Sequence, residues 1–374
     1  MRGSTSQNTF YFYRGRVALY ALLRALNIKP GDEVILQAFT CLAVPSPIVG
    51  LGLRPVYVDI DPKTYNLDVG QMESRVTERA KVIIVQHTFG IPAPMETIMA
   101  AARKHNLVVI EDCCQVLGSR YRGAGLGCIG DAAFYSYEWG KPIIIGLGGA
   151  AVVHSEAFLS KLRALYDTFV DPPLKDVLTV HLQYFAHAAL RRPSLFWTIR
   201  EIYRALSRNG LLIGTFPREE FSGDLNEEYQ RRMAPSLRAR LAGKLPEAEA
   251  GISYRKWVGA QYQDGLRQLG IQHPESPAEA ETVYLRYPLL VRNKLRVLGE
   301  ARKWKVELGD WFTSPVHPLT HHEWKSVLYE RGCCPIAEDT CQRIVTLPLH
   351  GALRQADIDR SLEFLRCMQE RDLI

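Results

Sequence analysis

Between residue 15 and about residue 155, short apolar runs of strand type alternate with segments of helical spacing, and this alternation limits the fold more than any other feature of the chain. GDEVIL (31–36), RPVYVDI (54–60), KVIIVQHTFG (81–90), LVVIED (107–112), DAAFYSY (131–137) and GGAAVVH (148–154) read as strands. ALYALLRAL (18–26), VPSPIVGLGL (44–53), MESRVTE (72–78) and METIMAAARKHN (95–106) read as the helices between them. Strands linked through helices pair in parallel, so this stretch predicts an α/β domain with a mostly parallel sheet. Ligands of such sheets bind beyond the carboxyl ends of the strands. His87, Asp112 and Tyr137 stand at ends of this kind.

The rest of the chain divides in two. Residues 156–255 read as mostly helical, with an amphipathic run at 194–206 and a loop at 210–224. Residues 256–374 read as a second α/β lobe: helix 256–268, strand 284–291, helix 294–304, a loop holding SPVHP (314–318) and a closing helix 355–369. The expected organisation is a large domain, 10–255, with a helical insertion near 170–225, and a smaller C-terminal domain, 256–374. A length of 374 residues, 47% of them hydrophobic, supports a large core and a second lobe. The net charge of +6 is too small to argue for nucleic acid but suits an anionic small molecule. No two of the eight cysteines have C-x-x-C spacing, and they read as buried, reduced thiols. His321 and His322 form no metal-ligand set, and no metal is expected. The polar N-terminus lacks an apolar signal core, and no stretch reaches the ~20 apolar residues of a membrane span. A cytoplasmic protein is expected.

Asp112 poses a chemical question, because a carboxylate at the end of a buried strand is costly unless a cation meets it. Lys141 follows in FYSYEWGKPIIIGLGG, where an aromatic strand leads to a lysine and then to glycines. Alone, Lys141 reads as a snorkelling surface residue, Asp112 as a cap or loop ion pair, and Gln115 as an ordinary polar residue. Together, a strand-end acid and a lysine match pyridoxal phosphate chemistry, which needs a lysine for the cofactor aldehyde and an acid against its ring nitrogen. The phosphate needs donors. Gly15 and Arg16 precede a helix, whose N-terminal amides bind phosphate, and Ser136 adds a hydroxyl. Singly, each of these reads as a turn or strand residue.

At this point a family resemblance emerges. GRVAL with PGDEVIL, AFT (38–40), RPVYVDIDPKTYNLD (54–68), VIIVQHTFG (82–90), VVIEDCCQVLGSRYRG (108–123), GDAAFYSYEWGK with GLGG, RRMAPSL (231–237), CPIAE (334–338) and LPLH (347–350) carry it. On these residues the chain resembles the DegT/StrS-type sugar aminotransferases, which are fold-type I pyridoxal phosphate enzymes, from about Gly15 to Leu365 with a gap near 170–225. The resemblance implies a homodimer with sites at the subunit interface. It implies transfer of an amino group from glutamate to a nucleotide-linked keto-sugar. Lys141 would carry the cofactor, Asp112 would face its ring nitrogen, Gln115 would meet its ring oxygen, and Ser136 would hold its phosphate.

The chain also departs from the family pattern. Arg16 replaces a threonine of the phosphate loop, so it either adds a cation to the phosphate or caps the helix outward. Cys41 stands where an aromatic residue stacks on the ring, which leaves His87 or Phe89 to stack. Gln230 replaces the asparagine that enters from the partner subunit. The segment before the phosphate loop is short. Lys141 itself argues against the relatives that carry histidine there and dehydrate their substrate. His317 and His350, in loops of the smaller lobe, would face the sugar or its phosphates, with a loop histidine as the alternative. Two other functions stay open: transamination of an aminocyclitol or other secondary-metabolite ketone, and a non-catalytic binding role. The aromatic and basic stretch 177–208 suggests peripheral contact with the inner membrane face, against packing on the protein itself.

Overall fold

The computed structural model describes residues 8–190, 197, 213, 214, 216 and 218–374. Its larger part is built on β1 (Thr9–Phe12), α1 (Gly15–Ala25), β2 (Glu33–Gln37), α2 (Pro45–Gly50), β3 (Arg54–Val58), α3 (Val69–Ser74), β4 (Ala80–Gln86), α4 (Met95–His105), β5 (Val108–Asp112), β6 (Ala132–Ser136) and β7 (Gly149–Val153). The seven strands form one sheet in the order β1-β7-β6-β5-β4-β2-β3. β7 runs antiparallel to both its neighbours, and the pairs from β6 through β3 are parallel. β2, β6 and β7 are buried along their whole length. Burial on both faces is why these strands read as near-continuous apolar runs.

Local chemistry sets the helix ends. Asp68 caps α3 by accepting the amide of Gln71 at 3.1 Å, so the helix starts three residues before the expected 72. Asn106 ends α4 in the left-handed conformation, with φ of 53°.

Beyond β7 come α5 (Glu156–Tyr166), α6 (Leu174–Leu190) and α7 (Pro235–Gln268). Most of the expected amphipathic run 194–206 and loop 210–224 lies outside the described residues. Within α6, Leu178, Leu182 and Phe185 are exposed, while Val180 is buried. Among the described residues no helix is long and apolar enough to cross a membrane.

The smaller part holds β8 (Tyr287–Leu290), α8 (Lys294–Lys303), α9 (Pro335–Arg343), β9 (Ile344–Leu347) and α10 (Gln355–Glu370), with β8 and β9 paired antiparallel. The expected junction at 255/256 lies inside α7, which runs unbroken for 34 residues. Two further ties join the parts. Asp59, just past β3, accepts the amides of Ile336 and Ala337 at 2.8 Å each and so caps α9. The short segment Thr40–Cys41 pairs in parallel with Val316–His317.

Candidate active site

The carboxyl ends of β4, β5 and β6 and the start of α1 open onto a cavity of about 1060 Å³. Gly15, Arg16, Cys41, Asp112, Gln115, Ser136 and Lys141 all line it, as do His317 and His350 from the smaller part. Of the site residues expected from the sequence, only His87 and Gln230 stand off its wall.

Asp112 ends β5 in register with Gln86 of β4 and Phe134 of β6. Its Oδ1 accepts the Cys114 amide at 2.9 Å. Burial pushes its pKa up, against the pull of that amide and of the Lys141 charge. Among the described residues no lysine or arginine forms an ion pair with Asp112. Gln115 uses its Oε1 to accept the Phe89 amide at 2.7 Å, which fixes the side chain at the cavity wall. The Cys41 thiol is pushed up by burial and pulled down by the charges of Lys141 and Arg16, so all three share one neighbourhood.

Lys141 follows β6 on a loop that turns at Gly140, where φ is 75°. Its backbone amide bonds the Glu138 carbonyl at 3.3 Å. Its Nζ lies 4.9 Å from the centroid of the Trp311 ring, a contact that crosses from the larger part to the smaller. His317 reaches the same region because its strand pairs with Cys41. Its Nδ1 meets the Thr313 hydroxyl at 2.9 Å. His350 bonds Glu307 at 2.9 Å through Nε2.

At the start of α1, a Cβ on Gly15 would stand 2.8 Å from the Ser136 Cβ, so only glycine lets the helix approach β6 this closely. Arg14, at the N-cap, gives no side-chain cap, which leaves the first amides of α1 to another acceptor. Arg16 does not point outward as a cap. It is buried, ion-paired with the equally buried Glu220, and lies under the Phe216 ring at 5.1 Å. Tyr229 donates its hydroxyl to Glu220 at 2.9 Å. Arg14 pairs with Glu138 and, at 2.7 Å, with Glu228. Ser136 donates to Glu138 at 3.5 Å.

The expectation for His87 is corrected. Successive strand residues face opposite sides, and at the end of β4 it is Gln86 that lines the cavity. His87 turns into the interior, where its Nε2 meets Glu111 at 3.2 Å and its Nδ1 accepts the Ala93 amide at 3.1 Å. Phe89 is buried against Phe39 and Phe312 and is not on the wall, so neither residue offers a stacking face. Gln230 is exposed and stands away from the cavity of its own chain.

His87, Glu111 and Cys113 bring ligand-type atoms together. Glu111, however, already accepts the amides of Gly127, Ile129 and Gly130 at 2.7 Å each. Burial would raise the Glu111 pKa, but the His87 contact and these amides hold it below the usual carboxylate value. His87 and Glu111 are thus already engaged in hydrogen bonds. The cysteines are more varied than expected: all are free, four are buried, and Cys128 is exposed.

Sequence reading missed Gln86, Glu138, Trp311, Arg286 and Glu220. Strand alternation could have found Gln86. No local signal marks the others, whose places depend on distant segments.

The residues present fit pyridoxal phosphate. A buried acid in no ion pair among the described residues, a side-chain amide anchored through its oxygen, and a lysine share one wall. A tight helix start without a side-chain cap, next to a hydroxyl and a buried arginine, would suit the phosphate. Several known proteins are similar to this chain. The chain is 36% identical over 368 residues to an L-glutamine:2-deoxy-scyllo-inosose aminotransferase of Streptomyces lividus, covering 92% of this chain and 78% of that one. It is 29% identical over 354 residues to a UDP-N-acetyl-3-dehydro-alpha-D-glucosamine 3-aminotransferase of Acidithiobacillus ferrooxidans, covering 94% and 82%. In fold it is similar to a proposed sugar aminotransferase of Streptococcus pneumoniae in its PLP form, with a TM-score of 0.76, 21% identity and coverage of 98% and 88%. The DegT/DnrJ/EryC1/StrS aminotransferase family model matches residues 11–176 and 199–366, and with most of its length so matched the chain belongs to that family.

Proposed function

We propose that the chain is a pyridoxal phosphate-dependent aminotransferase that moves an amino group from glutamate to a keto-sugar carried on a nucleotide. The observation that carries this reading is the placement of Asp112 and Lys141 on one cavity wall, close enough for the Lys141 charge to act on Asp112 but with no ion pair to Asp112 among the described residues. When bound, pyridoxal phosphate supplies an aldehyde to bear the amino group and a ring that withdraws electrons. Asp112, oriented by the Cys114 amide, holds the proton on the ring nitrogen. The Gln115 NH₂ donates to the ring oxygen. Ser136, the first amides of α1 and Arg16 bind the phosphate. Lys141 Nζ takes a proton from the α-carbon of the donor and returns one to the acceptor carbon. His317 and His350 flank the part of the cavity left for the acceptor.

The protein works as a homodimer in this reading, and the exposed Gln230 enters the site of the second subunit. Sedimentation of the purified protein tests the assembly. A second reading, an aminocyclitol ketone as acceptor, is favoured by the 36% identity to the Streptomyces lividus relative. Turnover with each ketone class separates the two. The contact of 177–208 with membrane is tested by binding to anionic vesicles at low salt, and no affinity would end that idea.

The central experiment is the visible absorbance of the protein loaded with pyridoxal phosphate, before and after glutamate, in the wild type and in Lys141→Ala. A band that bleaches with glutamate in the wild type and is missing from the variant is expected. No such band in the wild type would favour the non-catalytic role.

A further inference from the structure

The cavity wall carries five cations among the described residues, and four are accounted for. Arg16 is paired with Glu220. Lys244 bonds Glu247 at 2.6 Å. Arg255 donates to the Leu285 carbonyl at 3.2 Å. Lys141 is the amine of the proposed chemistry. The fifth, Arg286, lines the cavity in a partly buried position and forms no hydrogen bond or ion pair with any described residue. A guanidinium held at a cavity wall without an acceptor is a site for an oxyanion, because its planar fork matches a carboxylate with two parallel bonds.

The surroundings show how Arg286 is aimed and what it meets. It immediately precedes β8, and its side chain crosses Gly309. A Cβ on Gly309 would stand 3.2 Å from Arg286 Nη1 and only 2.2 Å from Thr346 Oγ1. The Gly309 backbone is itself locked, donating to the Thr346 carbonyl at 2.8 Å and accepting the Thr346 amide at 3.0 Å. Gly309 therefore forms a fixed, side-chain-free floor under the guanidinium. Two residues on is Trp311, whose ring meets Lys141 Nζ. Arg286 thus shares a wall with the surface that holds the reacting amine. This link through Gly309 and Trp311 favours an anion carried close to the reacting carbon of the molecule that meets Lys141. The phosphates of a nucleotide are separated from the reacting carbon by a sugar ring. The carboxylates of an amino-acid donor are not.

We propose that Arg286 is the donor-recognition residue of this enzyme and binds a carboxylate of the amino donor. This rests on the aminotransferase reading above and adds to it the residue that selects the donor.

The test titrates glutamate against the cofactor band of the loaded wild type, Arg286→Gln and Arg286→Lys. A parallel calorimetric titration uses 2-oxoglutarate and, separately, uridine diphosphate. Arg286→Gln is expected to raise the glutamate concentration for half bleaching, and the 2-oxoglutarate Kd, by about thirtyfold, the loss of a charge-assisted pair. The lysine variant is expected to recover part of this, and uridine diphosphate to bind all three proteins alike. Unchanged glutamate and 2-oxoglutarate dependence in Arg286→Gln would overturn the proposal. So would a selective loss of nucleotide binding, which would give the arginine to the acceptor. If wild type failed to bleach, the aminotransferase reading would fail, and the calorimetric arm would still decide whether Arg286 binds the dicarboxylate.

Discussion

Glu220→Gln offers the sharpest test of how the phosphate end of the cavity is built. Glu220 and Arg16 are both fully buried, are paired, and come from segments more than two hundred residues apart. The glutamine keeps the shape and can still accept from Tyr229. It removes the negative charge and turns an amide against a buried guanidinium. Breaking one side of such a pair costs about 3–5 kcal/mol. Without cofactor the variant should therefore unfold at clearly lower urea than the wild type. Pyridoxal phosphate should then stabilise the variant more than the wild type, because its phosphate supplies the charge that Arg16 has lost. For scale, a ligand at a hundred times its Kd contributes about 2.7 kcal/mol. The assay is urea unfolding followed by tryptophan fluorescence, for both proteins, with and without the cofactor. Equal midpoints without cofactor would refute the claim that the pair holds the recess together. Equal increments from the cofactor would refute the claim that its phosphate reaches Arg16.

Other outcomes follow from single side chains. Lys294 is buried and donates to the Phe312 and Cys341 carbonyls at 2.6 and 2.9 Å, and burial lowers its pKa from 10.5 to about 8. Between those values the unfolded chain binds the extra proton, so this group makes stability rise with pH from about 8 to about 10.5, by about 3 kcal/mol. Unfolding free energies of the wild type and Lys294→Met across that range should differ by this slope, and parallel curves would contradict it. Gly309→Ala should destabilise by about 1–3 kcal/mol through overpacking on Thr346. It should also shift the glutamate titration in the same direction as Arg286→Gln. Glu111→Gln places an amide against backbone donors and His87, and should lower unfolding stability by about 3–5 kcal/mol in urea titrations.

Much of the candidate site's placement on one cavity was legible because its parts are local. Asp112, Gln115, Ser136 and Lys141 sit where a strand ends and the chain must turn, and the apolar pattern marks those ends. Gly15 was legible for the same reason, since α1 begins there. His87 was misplaced by one step of strand alternation, a shift that moves a side chain to the other face of the sheet. The roles of Arg16, Trp311 and Arg286 could not be read locally. Each depends on a contact between segments far apart in the chain: Arg16 with Glu220, Trp311 with Lys141, and Arg286 with Gly309. The helix over 256–268 was expected as the start of a lobe and is instead the last part of α7. The buried residues of α7 fall near its two ends, Leu237 and Leu241 and then Val258 to Leu266, so the middle gives no apolar pattern from which its continuity could be read.

That continuity limits how the site can work. α7 spans about 50 Å at 1.5 Å per residue, and Lys244, Gly251 and Arg255 from its middle form part of the cavity wall. A hinge at the junction would have to bend this helix, whose interior already carries Pro246. Any relative movement of the lobes is thus coupled to the shape of α7, which carries part of the cavity wall. In the proposed reaction, acceptor size would be read by the side chains of α6 and α7 that line the cavity, among them Tyr184, His187, Tyr254 and Arg255. Exchanging these few residues, with both lobes left untouched, is the direct route to a different ketone.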